Sequence, residues 1–271
     1  MGSNPVGPLA GLACFIAAAA AYALGWRFAA WLGAAGAAIL TGALAARGLL
    51  AGYWPLTTTY EFALAFALTT VLATLLMRPE TKSEVSGRAL RHARDATGVP
   101  VAAMALAAAL VAYARLGLPA SGRAIRPLLP VLDSIWLPLH VGAAAMAYGA
   151  LALAGAGGLV WLLRHSERPE ANRVIDRAIA IGYPLLTLSM LLGMIWAQAA
   201  WGRYWDWDVK ETWTLITWLI YTLYYHVRKR PNWRGRRLAW LAVAGLAAVL
   251  FTFLGVSWLA RSLGLQSLHL F

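Results

Sequence analysis

The chain has 271 residues, 61% hydrophobic and 13% charged, whereas a soluble domain is roughly half apolar and about a quarter charged. This composition excludes an ordinary soluble fold and indicates an integral membrane protein. With Cys14 as its single cysteine, the chain has no internal disulfide and no Cys-x-x-Cys redox pair, so thiol chemistry must come from a partner.

A bilayer core about 30 Å thick needs about 20 mostly apolar residues in helical form. Eight segments qualify approximately: residues 8–26, 28–46, 60–77, 98–116, 136–163, 179–199, 212–227 and 237–258. They are continuous and rich in Ala and Leu, not alternating blocks of about ten residues, so helices are expected and strands are not. The first 26 residues carry no basic stretch before the apolar run, and no cleaved signal peptide is expected. A short hairpin at Arg27 leads to the second segment. Glu61 lies at the start of the third, where the helix dipole favours a carboxylate, and a structural role is expected for it. His92 and His165 fall in basic loops after the third and fifth segments and read as solvated or headgroup-contacting.

His140 is different. In "SIWLPLHVG" it falls about one turn inside the fifth segment, where an ionisable group is expensive and usually has a task. His226, in "WLIYTLYYHVRKR", ends the seventh segment beside a basic cluster. A snorkelling histidine favoured by the helix dipole explains it as well as a functional one does. His269 lies two residues before the chain ends.

The loops after the first, third, fifth and seventh segments hold 16 of the 23 Lys and Arg residues, against 7 on the other side. By the positive-inside rule the basic side is cytoplasmic, so both termini and the loop between segments six and seven face outward. The net charge of +12 is then a matter of orientation in the membrane, and nucleic acid is not expected as a partner. No repeat or linker divides the chain, and it reads as one domain over residues 1–271.

The loop itself, "WGRYWDWDVKE" at 201–211, is the most informative stretch. Trp196, Trp201, Trp205, Trp207, Trp213 and Trp218 are six of the fourteen tryptophans and fall within 23 residues. An interfacial belt is one explanation of such indoles, although a belt would spread over all loops. A platform for a large planar ligand is the other. Were residues 205–208 extended, both indoles would share one face and Asp206 and Asp208 the opposite one. His140 and His269 add two imidazoles on the same side, a donor pair suited to iron, and two axial nitrogens about a flat macrocycle are a standard haem arrangement. Arg203, Lys210, Arg123 and Arg126 are external cations available to carboxylates, and pairing of Asp206 and Asp208 with Arg203 and Lys210 is expected to be structural.

The stretch "AQAAWGRYWDWDVKETWTLITWLIYTLYYH" at 197–226 resembles the tryptophan-rich signature of the CcsA/ResC cytochrome c assembly proteins, haem-handling membrane proteins of the System II pathway. "GYWPLTTTYEF" at 52–62, "LDSIWLPLHVG" at 132–142 and "FTFLGVSWLARSLGLQSLHLF" at 251–271 resemble the family's outer loop and its two external histidine motifs. Val209 stands where the signature usually has proline, and "SLHLF" replaces the more usual Leu-His-Ser-Tyr.

The resemblance implies an all-α polytopic membrane protein of about eight transmembrane helices, in the plasma or inner membrane, with the tryptophan-rich loop (about 197–212) and the C-terminus outside. It implies haem b as cofactor, His140 and His269 as external axial ligands, and His226 as the membrane histidine near the cytoplasmic side. Trp201, Tyr204, Trp205, Trp207 and Asp208 are then the haem-supporting residues of the loop. The implied task is to deliver haem across the membrane and present it for attachment to apocytochrome c at Cys-x-x-Cys-His. A CcsB/ResB/Ccs1-type membrane partner, thiol-reducing proteins acting indirectly and membrane lipid complete the setting, and the chain would be the membrane subunit of a cytochrome c synthase. Rival readings are a CcmC-type haem exporter, an electron-transferring cytochrome b and a channel or transporter. The segments at both chain ends favour the first reading over an exporter, no span holds the paired histidines of a cytochrome b, and the broken polar helices of a transporter are missing.

Overall fold

In a bilayer each backbone N–H and C=O must be paired within the protein, so long runs of Ala and Leu settle as helices. The computed structural model describes residues 6–77, 98–164, 169–233, 235–256 and 258–259, and among them there is no strand. The principal helices are α1 (Val6–Ala23), α2 (Ala29–Ala51), α3 (Thr59–Leu76), α4 (Gly98–Ala112), α5 (Trp136–Arg164), α6 (Pro169–Trp201), α7 (Val209–Val227) and α8 (Arg236–Leu250). Two π turns, Tyr113–Gly117 and Phe251–Gly255, prolong α4 and α8. The eight expected segments correspond to these eight helices, and α6 begins ten residues before the expected 179. Its first turns, "PEANRVIDRA", are amphipathic and polar, and hydropathy alone does not register them.

Six helices, α2 to α6 and α8 with the π extensions, are long and apolar enough to cross a membrane. The apolar run of α1 is shorter, and α7 carries Lys210, Glu211 and His226 among threonines and tyrosines. The chain is an all-α polytopic membrane protein.

α5 is the central helix, packed against α3, α4, α6 and α8. Lipid tails are as apolar as leucine, so helices associate in a membrane through close packing, which small residues permit. The sequence supplies them on α5. A Cβ built on Gly149 would lie 2.5 Å from Thr69, and one on Gly155 2.4 Å from Leu246. At the first contact Thr69 Oγ1 also donates to the Ala145 carbonyl at 2.6 Å. Toward one end of the bundle an aromatic knot joins three helices: Phe62 meets the Tyr148 ring edge-on at 5.7 Å and the Phe253 ring at 5.1 Å. Such pairs contribute about 0.5–1.5 kcal/mol each beyond burial.

At the same end Thr58 and Glu61 form a reciprocal capping box that starts α3. The fully buried Glu61 also accepts from Arg47 Nε at 2.5 Å. The Arg47 guanidinium goes on to donate to the Arg123 and Ala124 carbonyls at 2.8 and 3.2 Å. One buried ion pair thus fastens α2, α3 and the loop between α4 and α5, and Glu61 has the structural role expected for it.

Candidate functional site

The tryptophan-rich segment links α6 to α7, and its local chemistry decides its path. Gly202 takes a left-handed backbone (φ 74°), which ends α6 after Trp201 at little steric cost. Asp208 then caps α7 by accepting from the Glu211 N–H at 2.7 Å. The Glu211 carboxylate reaches back to accept from the Asp206 N–H at 2.7 Å, and Asp206 pairs with Arg203 at 2.9 Å. The loop is therefore closed on itself by its own charges, the structural pairing expected for Asp206.

The extended backbone considered for residues 205–208 is not what forms. Trp207 has φ 58°, a left-handed value, so the alternation of faces fails there. The two indoles meet edge-to-face instead, 5.7 Å apart and at 81°. Trp205 turns inward, whereas Trp207 is 70% exposed.

Behind Trp205 lies an open cavity of about 1260 Å³, mouth included, between α3, α5, α6, α7 and α8. Phe62, Tyr148 and Phe253 of the aromatic knot line it, the last carried on the π turn after α8. Met190, Met194, Leu186 and Val141 add apolar wall. Tyr204, Lys210, Glu211 and the Thr57–Thr59 turn supply polar groups. The Trp205 indole N–H is buried with no hydrogen-bond partner among the described residues. Lys210 keeps an exposed side chain at the cavity lining.

His140 lines this cavity, one turn into α5. Its Nδ1 lies 2.7 Å from the Ser189 carbonyl and 3.2 Å from Ser189 Oγ, and that hydroxyl donates to the His140 carbonyl at 3.1 Å.

The structure thus brings together His140, Tyr204 and Trp205. Trp201 stands outside the lining, edge-on to the buried Trp196 at 6.3 Å. Asp208 acts as a helix cap. His226 is elsewhere: fifteen residues along α7 from Glu211, it lies about 22 Å away at 1.5 Å per residue. It is exposed, with Nδ1 2.8 Å from the Thr222 carbonyl. Beside it, Tyr224 donates to Asp176 at 2.8 Å, and Tyr183 stacks on Trp218 at 5.6 Å. Tyr221 and Tyr224 are fully buried and Trp213 packs on Phe251 at 4.2 Å, so these aromatic residues of α7 serve packing. Of the other cations, the Arg123 side chain turns to the Arg115 carbonyl. His269, with His92 and His165, lies outside the described residues.

Sequence reasoning missed Glu211 and Ser189. Glu211 was legible as the third residue after an Asp cap. Ser189 sits in "TLSMLLG" with nothing local to mark it, since its partner is 49 residues away.

A family profile described as "Cytochrome C assembly protein" matches residues 56–263. Among curated relatives, the cytochrome c biogenesis protein CcsA of Pyropia yezoensis is 32% identical, covering 83% of this chain and 82% of its own length. The protein of the same name from Synechococcus elongatus is 33% identical over 86% of each chain. That from Trieres chinensis is 30% identical over 81% of this chain and 80% of its own.

Proposed function

We propose that this chain, which belongs to the cytochrome C assembly protein family and has a role in cytochrome c biogenesis, holds haem b at the outer membrane face in the His140 cavity and presents it to apocytochrome c. The observation that carries the reading is a histidine and an inward-facing indole on one cavity whose walls are apolar and whose remaining lining is polar. Haem needs both kinds of surface. Its ring is large and flat, and its two carboxylates need donors. The Lys210 ammonium group, on the cavity lining, fits those carboxylates.

His140 would hold the iron from one side, and His269 is its proposed counterpart. When bound, haem supplies the vinyl carbons to which the two cysteine thiols of a Cys-x-x-Cys-His segment add. The chain's own contribution is positional. The aromatic knot closes the cavity below, Trp205 and Tyr204 flank it, and Trp207 stands exposed where an arriving peptide would meet it. Fixing two reactants side by side removes a substantial part of an entropic barrier. His226, about 22 Å along α7, marks a separate entry site near the cytoplasmic face, completed by a histidine from a CcsB/ResB/Ccs1-type membrane partner. The loop and the C-terminus face outward in this arrangement, and the whole chain works as one haem-handling domain within a synthase complex.

The test is maturation of a reporter cytochrome c in cells that lack their own assembly system and express this chain with such a partner. His140→Ala and His269→Ala are each expected to abolish covalent haem in the reporter, and Trp205→Ala to lower it severalfold. Full maturation with His140→Ala would refute the proposal.

A further inference from the structure

We infer that Ser189 and Gly193 of α6 form a seat that fixes the His140 imidazole in its Nδ1–H tautomer and sets the ring's plane, making both positioning residues for the iron ligand. The inference rests on the haem reading above and adds what holds the ligand ready.

An imidazole binds iron through a nitrogen lone pair, and a neutral ring carries its proton on one nitrogen and its lone pair on the other. Which nitrogen is which depends on the partner of the second one. At His140 that partner is a main-chain carbonyl: Ser189 O stands 2.7 Å from Nδ1. A carbonyl only accepts, so Nδ1 carries the proton and Nε2 the lone pair. The carbonyl is available although it belongs to a helix interior because Gly193, whose N–H would bond it, has no side chain to keep the ring away. A Cβ at Gly193 would lie 2.8 Å from both Nδ1 and Cε1 of His140, closer than packed atoms come. The ring therefore lies in a notch that glycine opens.

Ser189 supplies a second hold. Its side chain is buried, at 3% exposure, and its Oγ reaches both His140 Nδ1 and the His140 carbonyl. The same residue thus grips backbone and ring of the ligand together, so rotation of the ring breaks two contacts at once. Ser189 and Gly193 are one helical turn apart on one face of α6, and both line the cavity with His140.

Two measurements on the full chain test this. In the haem-free protein, with histidine labelled at both ring nitrogens, the resonances lost in His140→Gln identify His140. Their shifts should report a protonated Nδ1 and an unprotonated Nε2, and an Nε2–H tautomer would overturn the inference. In the haem-loaded protein, Gly193→Ala should lower the low-spin, histidine-ligated fraction at least tenfold, with added imidazole restoring it. Ser189→Ala should lower it severalfold, and it removes only one oxygen, so it carries the test if the Gly193 variant fails to fold. Added to His140→Gly, either change should have no further effect on the imidazole-restored spectrum, since both act through the missing ring. A loss that adds in full to that of His140→Gly, or an unchanged spectrum in both single variants, contradicts the seat while leaving the haem reading intact. An unchanged spectrum in His140→Gly itself overturns both.

Discussion

Asp208 shows how one side chain can be read in two ways. Its place in the tryptophan-rich signature suggests a haem contact, whereas its carboxylate is engaged as the N-cap of α7, 2.7 Å from the Glu211 N–H. Loss of an N-cap costs about 1 kcal/mol, and Asn or Ser replaces Asp in that role. Asp208→Ala is therefore expected to lower the thermal midpoint of the detergent-solubilised protein, and Asp208→Asn to restore most of it. Haem content should follow stability in both. If Asp208→Asn keeps the midpoint and loses the haem, the carboxylate charge has a second task. Trp205 and Trp207 were equivalent in the sequence, two apart and flanked by acids. The left-handed backbone at Trp207 separates them, and nothing in the residue name foretells it, because such a backbone is uncommon for any residue other than glycine.

Among the elements, the helices were the most legible part. Apolar length finds each of them, although α2 runs five residues past its expected end, α8 with its π turn stops three short, and α6 begins ten earlier with an amphipathic start. The candidate site was legible only in part: His140 stands out as an ionisable residue inside an apolar segment, and the indoles by their clustering. Its walls come from five helices, and Met190, Tyr148 and Phe253 carry no local mark of facing a cavity, because that depends on packing between distant segments. The Arg47–Glu61 pair is similar. The acid was readable as a helix start, but the cation 14 residues earlier was not readable as its partner. Breaking a buried pair from one side leaves an uncompensated charge and costs about 3–5 kcal/mol. Glu61→Ala is thus predicted to destabilise the protein by about that amount, and the double replacement Arg47→Met, Glu61→Leu to recover most of it, read from thermal unfolding. Equal losses in the single and double variants would show that the contacts Glu61 accepts from the Thr57 and Thr58 N–H groups, not the ion pair, do the fastening.

For the molecule entire, the proposed function requires that the bundle lie with the cavity outside and the His226 end inside, the orientation that the positive-inside rule predicts from the charge asymmetry. Cysteines introduced singly at Trp207 and Lys229 in a Cys14→Ser background should react with a membrane-impermeant reagent from opposite faces, Trp207→Cys from outside and Lys229→Cys only after the membrane is opened. Labelling of both from one side would remove an odd number of crossings between them and the two-site scheme with it. The central claim is that one cavity at the outer face holds iron through His140 and His269. It is tested most directly by the absorption spectrum of ferrous haem in the full chain purified with its membrane partner. Wild type should give a low-spin, bis-imidazole spectrum, which His140→Gly and His269→Gly should each abolish and added imidazole restore. A wild-type spectrum in His140→Gly would contradict the account.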